Sequence, residues 1–376
     1  MTSSVSELRN VCVQLQASIR KSALQATRTK TQAAPTRATY LRKNSGLYDS
    51  LIAVLKHLRQ DVTALSLAFS GKSITVEAAL TQVQKVADHA ARLAACVVAL
   101  PSEGCQIQEW RQDVAEIADR LDKYCKTLIA HCDNPQPQSS AGPSTQSPAP
   151  YLVNTSSVWE SIDHMIRTSS ADEPTAIKKS WQQDRECMDD AFGEFKDLLE
   201  DDEGVGEEET FNQDNEWAEL EKELNGGGDL DEAEMQRVKK LDTVVRLVLA
   251  LHKRFSTRLL DIPDLLQLPK QLDLSHAISA NFDALVASLY PPQNTKEVKQ
   301  AADAMIEDAV QLCTLSVQQA RVSQGLDLAE QLGDLHMTEG KEIMKEDGPY
   351  GSDLKWLSFW QEQMDKACGV WRGTSA

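Results

Sequence analysis

The chain has 376 residues, 41% apolar and 5% aromatic, which is length enough for two cores and a vocabulary that suits helices and polar loops rather than sheets. Its formal charge of −18 is local: Asp184 to Glu234 holds 22 acidic and three basic residues, and the remainder is nearly neutral. That segment repels phosphates and so argues against nucleic-acid binding there, and no apolar run approaches the roughly 18–20 residues a membrane span needs.

Leu8, Val11, Leu15 and Ile19 lay an apolar stripe along a first helix from residue 5 to about 30. Between Arg20 and Lys43 there are seven basic and no acidic residues. That stretch reads as the end of the helix and a basic loop, with a faint likeness to a transit peptide. The second helix carries Leu47, Leu51, Val54, Leu58, Val62, Leu65 and Phe69 in alternating steps of three and four, the seam of a bundle. Gly71 is expected to end it in a left-handed cap.

The third helix runs from Thr75 through Val76, Leu80, Val83, Val86, Ala90, Leu93 and Val97 to Pro101. The fourth uses Ile107, Trp110, Val114, Ile117, Leu121, Tyr124 and Leu128. Short joints at 70–74 and 101–105 predict antiparallel neighbours. From Asn134 to Pro150 five prolines fall in 17 residues, a solvated linker or long loop.

Helical spacing resumes at Val158, Ile162 and Met165. Pro174 fits the first turn of a further helix, with Asp172 as its cap. That helix carries Ile177, Trp181, Met188, Phe192, Phe195 and Leu199, then meets Glu200–Glu209, nearly all acid and glycine and expected to be disordered. Trp217, Leu220 and Leu224 suggest a short amphipathic turn before Gly226-Gly227-Gly228. A long helix is predicted from about Asp231 to Leu260 on Val238, Leu241, Val245, Val248, Phe255 and Leu259. Pro263 and Pro269 then break the path to a helix over Leu274–Tyr290, which Pro291-Pro292 terminates. Two more helices follow, from Lys296 to about Val322 and around Leu354, Leu357, Trp360, Met364 and Ala367.

No constellation of catalytic residues stands out. Ser70-Gly71-Lys72-Ser73 contains the end of a phosphate-loop signature, but Ser66 stands where its first glycine belongs and a helix precedes it where a strand is required. The seven histidines show no metal-ligand pair at helical spacing, and neither a GxSxG elbow nor a GxGxxG loop occurs. The eight cysteines are scattered, with no CxxC pair, and are expected as free thiols in a reducing compartment. No metal or cofactor is expected. The acidic residues Glu200, Asp201, Asp202, Glu203, Glu207, Glu208 and Glu209 are the candidate partner-binding set, since a wet, glycine-rich carboxylate tract attracts basic surfaces but cannot preorganise a reaction.

Three stretches carry a resemblance: DVTALSLAFS at Asp61–Ser70, NTSSVWE at Asn154–Glu160 and FDALVASLYPP at Phe282–Pro292. In this order and spacing the sequence resembles the cyclin-D-binding (cyclin-D-interacting) family over roughly residues 45 to 320, with Phe69, Trp159, Leu289, Tyr290, Pro291 and Pro292 as its motif positions. The basic N-terminus and the final 50 residues depart from the family's pattern. The resemblance implies a helical, non-catalytic protein of cytoplasm and nucleus. It implies the role of a negative regulator of cell-cycle progression and transcription that binds D-type cyclins and helix-loop-helix factors, with no direct nucleic-acid or membrane contact. A helical scaffold or adaptor of the vinculin or catenin kind, in adhesion or trafficking, is the alternative. The expected architecture is all-α: two antiparallel bundles of four or five helices, residues 1–133 and 151–376, joined by a Pro/Ser-rich linker at 134–150, with an acidic loop at about 200–230.

Overall fold

The computed structural model describes residues 4–27, 45–70, 73–100, 104–134, 150–200, 230–258, 268–323 and 351–373. Among them are ten helices and no strand. They are α1 (Val5–Thr27), α2 (Ser45–Phe69), α3 (Val76–Val98), α4 (Cys105–Asp133), α5 (Pro150–Thr168), α6 (Glu173–Glu200), α7 (Glu232–Thr257), α8 (Leu268–Ser288), α9 (Thr295–Ser323) and α10 (Gly351–Arg372). The chain divides into two compact units, Met1–Ala176 and Ile177–Ala376.

In the first unit α2 packs on α3, α3 on α1, α1 on α4, α4 on α5 and α5 back on α2, which closes a ring. Arg9–Asp133 at 2.6 Å and Arg20–Asp122 at 2.7 Å set α1 against α4 in opposite directions. Arg59–Asp163 at 2.8 Å and Ser66–Thr155 at 2.7 Å do the same for α2 and α5. A ring of five cannot alternate all the way round, so one neighbouring pair must run parallel. Here it is α1 and α3, where Ile19, Ser22 and Ala23 lie beside Ala90, Leu93 and Ala94. The small residues let these helices approach closely. Trp110, Tyr124, Tyr151 and Phe69 fill the centre, each at most 2% exposed.

The short joint leaves α3 and α4 antiparallel, as expected, though they meet only lightly because α1 lies between them. One expectation is corrected here. The Pro-rich stretch was expected to divide the domains, with helix resuming near Val158. The helix begins at Pro150, where a missing N–H costs nothing, and it buries Tyr151, Val158, Ile162 and Met165 in the first core. The boundary therefore falls at residue 176, after α5. Of the linker, residues 135–149 lie outside the described residues, as does Gly71.

The turn between α5 and α6 is strapped onto the start of α4. Ser170 donates through its N–H and hydroxyl to Glu109, and its carbonyl accepts from Gln106 Nε2 and Trp110 Nε1. Glu173 then accepts from the backbone N–H groups of Cys105 at 2.6 Å and Gln106 at 3.0 Å, satisfying two orphan donors of α4. Burial pushes the Glu173 carboxyl above its usual range, against those hydrogen bonds. Asp172 caps α6 as expected, accepting from Thr175 N–H at 2.9 Å. Gly104, at φ +128°, makes the approach possible, since a β-carbon there would stand 2.7 Å from the Glu173 carboxylate. Gly104→Ala is therefore expected to lower stability by about 1–3 kcal/mol, measured as a fall in the urea midpoint. An unchanged midpoint would refute this reading of the strap.

In the second unit α8 packs on α9, α9 on α10 and α10 on α7. α6 joins the ring through long side chains, Trp181 and Arg185 to α7 and Asp184 to α8. Arg254–Asp353 and Trp360 Nε1 to the Leu247 carbonyl at 2.7 Å run α10 against α7. Gln271–Gln319 and Asn281–Asp308 run α8 against α9. The parallel pair is α6 and α8, with Asp184 beside Ser275 and Glu194 beside Tyr290. Among the described residues each unit is thus a bundle of five helices, and α10 belongs to the second. Pro269 was expected to interrupt the path to α8, but the helix starts at Leu268 and takes Pro269 into its first turn. The long helix is α7, which Asp231 caps in a reciprocal box with Glu234.

Candidate functional site

Of the acidic candidates, Glu200 is the last residue of α6, and Asp201, Asp202, Glu203, Glu207, Glu208 and Glu209 lie outside the described residues, as do Trp217, Leu220 and Leu224. The six motif positions are divided between the two units. Phe69 is buried and its carbonyl accepts from Tyr151 O–H at 3.3 Å. Trp159 sits farther along the same α2–α5 seam under the Arg59 guanidinium, 5.2 Å from the ring centre. Leu289, Tyr290, Pro291 and Pro292 belong to the other unit. Leu289 is fully buried, and Tyr290 is exposed with its hydroxyl 3.4 Å from Glu194. The two prolines lead into Gln293, whose N–H is held by Glu234 at 2.7 Å and whose side-chain oxygen accepts from Arg237 at 2.8 Å. The Leu-Tyr-Pro-Pro stretch is therefore a corner, locked to the start of α7 by the capping glutamate.

Sequence reasoning missed a buried polar chain in the second unit. Asp184 on α6 is 8% exposed and accepts from Ser275 Oγ and, at 2.7 Å, from His276 Nδ1. Ser275 and His252 are fully buried, 2.8 Å apart, and His252 lies stacked on Trp181 with ring centres 4.6 Å apart. Ser275 has one proton, so in donating to Asp184 it accepts from His252 Nε2–H. That assigns the tautomer and leaves His252 Nδ1 without a partner among the described residues. Burial, and then the Arg185 charge, push His252 down to about 3, so it is neutral at physiological pH.

The residue types are those of an acyl-transfer triad, but the order is not. A nucleophilic serine needs a histidine between itself and the carboxylate, so that its proton has somewhere to go. Here the serine occupies the middle, bonds the carboxylate directly and is closed to any substrate. The chain fixes the register of α6, α7 and α8.

The first unit holds a similar buried cluster of hydroxyls. Ser66 Oγ lies 2.7 Å from both Tyr124 O–H and Thr155 Oγ1, and Thr155 donates in turn to the Tyr151 carbonyl at 2.7 Å. Burial drives the Tyr124 hydroxyl far above its ordinary range, so it does not ionise. His89 bonds Asp61 at 2.7 Å and stacks on His57 at 5.4 Å. Among the described residues no group of His, Cys, Asp and Glu is arranged to hold a metal ion, and no helix is long and apolar enough to cross a membrane. Ser70 sits in the turn that ends α2, its N–H bonded to the Leu67 carbonyl.

The open surface is of a different kind. A groove of about 500 Å³ runs along α2, lined by Tyr48, Ile52, Lys56, His57 and Gln60 with Ile166 of α5. It is shallow and mixed in polarity, the character of a protein-contact surface rather than of a pocket that encloses a small molecule.

Two family models match the chain. Residues 50–201 match the N-terminal part of the Grap2 and cyclin-D-interacting proteins, and residues 200–311 match their C-terminal part. The seam between the two falls at the end of α6, not at the boundary of the compact units. Comparison with curated proteins gives no match.

Proposed function

The chain belongs to the Grap2 and cyclin-D-interacting family, and we propose on that premise that it is a non-catalytic regulator that binds D-type cyclins and restrains cell-cycle progression. The observation that carries the reading is the family match over residues 50–311. The closed polar clusters agree with it, since carboxylate, serine and histidine are spent on holding helices in register. Helix-loop-helix transcription factors are the second class of partner in this reading, and cytoplasm and nucleus are the places of action.

The acidic residues from Glu200 to Glu209 supply the electrostatic part of docking, drawing in basic partner surfaces over about one Debye length. Deleting residues 200–209 should leave the helical signal by circular dichroism unchanged. It should slow association with a D-type cyclin about tenfold at low salt and flatten the salt dependence. An affinity and salt slope equal to wild type would remove the docking role. Recovery from cells of cytoskeletal proteins alone, with no cyclin or transcription factor, would favour the adhesion-type scaffold instead.

A further inference from the structure

The seam between α3 and α4 is filled by a third helix. α3 and α4 touch each other only lightly, and α1 packs on both of them. The other four helices of the unit stay joined without α1, since α3 packs on α2, α2 on α5 and α5 on α4. The family match runs from residue 50, so it holds both walls of the seam and stops short of the helix inside. With α1 lifted out, Ala90, Leu93 and Ala94 of α3 and Val114, Ile117 and Leu121 of α4 line an open apolar groove.

α1 fills this groove incompletely. Its buried positions are Leu8, Cys12, Leu15, Ile19, Ser22 and Ala26, in steps of four and three. Cys12, Ser22 and Ala26 are small, and a cleft is left beside Ser22 and Ala23. Charge sets the register. Arg9 and Arg20, eleven residues apart, meet Asp133 and Asp122, eleven apart on α4, at 2.6 and 2.7 Å. α1 carries three basic residues to one acidic, and α4 six acidic to four basic. The ion pairs are solvent-exposed at the arginines, so they select an occupant more than they hold it. Seventeen residues separate Thr27 of α1 from Ser45 of α2. Extended, they span up to about 55 Å, so α1 can leave without drawing α2 with it.

We propose that the α3–α4 seam is a docking site for a basic amphipathic helix of a protein partner, and that α1 is its resident, displaceable occupant. The seam defines the ligand. Its apolar residues recur in steps of four and three, and its basic residues stand eleven apart, each directly after a seam position, as Arg9 follows Leu8 and Arg20 follows Ile19. Asp133 and Asp122 reject a helix with carboxylates at those places. A partner with larger apolar groups opposite the cleft buries more than α1 does. It must still outbid a helix tethered at an effective concentration of about millimolar, and only the surplus is seen as affinity.

The probe is the α1 sequence itself, a fluorescein-labelled peptide of residues 5–27, titrated with full-length protein in reducing buffer and read by anisotropy. Against wild-type protein it competes with the resident helix and binds weakly. In full-length Arg9→Glu/Arg20→Glu, glutamates face Asp133 and Asp122 and loosen that helix, so the same peptide should bind about tenfold tighter. A peptide carrying both glutamates should bind this variant about tenfold more weakly than the wild-type peptide does. No binding to the variant, or equal affinity of the two peptides, overturns the proposal. So does a wild-type dimer that the two glutamates dissociate, which would give the seam to α1 of a second copy. If the variant loses its helical signal, hydrogen exchange of the wild-type protein decides: α1 should open as a unit, faster than α3 and α4, and protection equal to theirs overturns the proposal.

Discussion

Replacing Trp181 with alanine is expected to destabilise the protein by about 3–5 kcal/mol. The indole is fully buried, stacked on His252 and, with ring centres 5.2 Å apart, on Phe255, and its N–H donates to the His252 carbonyl at 3.3 Å. It is also the side chain through which α6, set back from the backbone of its neighbours, reaches α7. Its loss opens a cavity and removes the indole hydrogen bond to α7 in one change. Urea unfolding followed by far-ultraviolet circular dichroism, with hydrogen exchange read in α6 to α8, measures this. A loss below about 1 kcal/mol would mean that the stack contributes little to the second core.

The second large effect appears on acidification. His252 is held neutral, down to about 3 from an ordinary value of 6.5, by burial and then by the Arg185 charge. Below pH 6.5 the unfolded chain takes up a proton that the folded chain refuses. The stability contributed by neutral His252 is therefore whole above pH 6.5 and is lost as pH falls towards 3. The cost is about 1.4 kcal/mol per pH unit, or roughly 2–3 kcal/mol between pH 6.5 and 4.5. His252→Gln keeps a donor for Ser275 and removes the titration, so its stability should fall by that much less over the same interval. Parallel wild-type and variant curves between pH 6.5 and 4.5 would show that His252 is not desolvated as described.

Both effects belong to a cluster that the sequence does not announce. The helices themselves were legible because their apolar residues recur with bundle spacing. In α2 the buried apolar residues are Leu51, Leu55, Leu58, Val62, Leu65, Ala68 and Phe69; the pattern read by periodicity missed Leu55, which takes the core position assigned to Val54, and Ala68, and its Leu47 is only partly buried. Capping was readable at α6, where Asp172 precedes Pro174. The domain boundary was not. Proline-rich composition says where a chain is solvated, whereas the boundary is decided by where the next apolar face is buried, and α5 turns back onto α2 and α4. The ring order also escaped, because short joints fix direction but not adjacency, and α1 fits between α3 and α4.

The polar chain escaped for a further reason. Asp184 lies in the acidic segment and reads as one more solvated carboxylate, and Ser275 carries no periodic signal. Only the placement of α6 parallel to α8 turns them inward together. His252, on an apolar face of α7, was the one detectable hint. The cyclin-D-interacting family could be read from three collinear stretches; in the fold Ser66 and Phe69 of the first tie α2 to Thr155 and Tyr151 of α5, and Leu289 to Pro292 of the third form the corner under Glu234.

The central claim is that this fold spends its chemistry-bearing residues on packing and works by presenting surface to a protein partner. Calorimetric titration of the purified full-length chain with a purified D-type cyclin tests it most directly. The account predicts saturable binding at micromolar concentration or below that weakens as salt is raised. A fully helical protein that releases no heat and forms no complex with the cyclin at any salt concentration would contradict it.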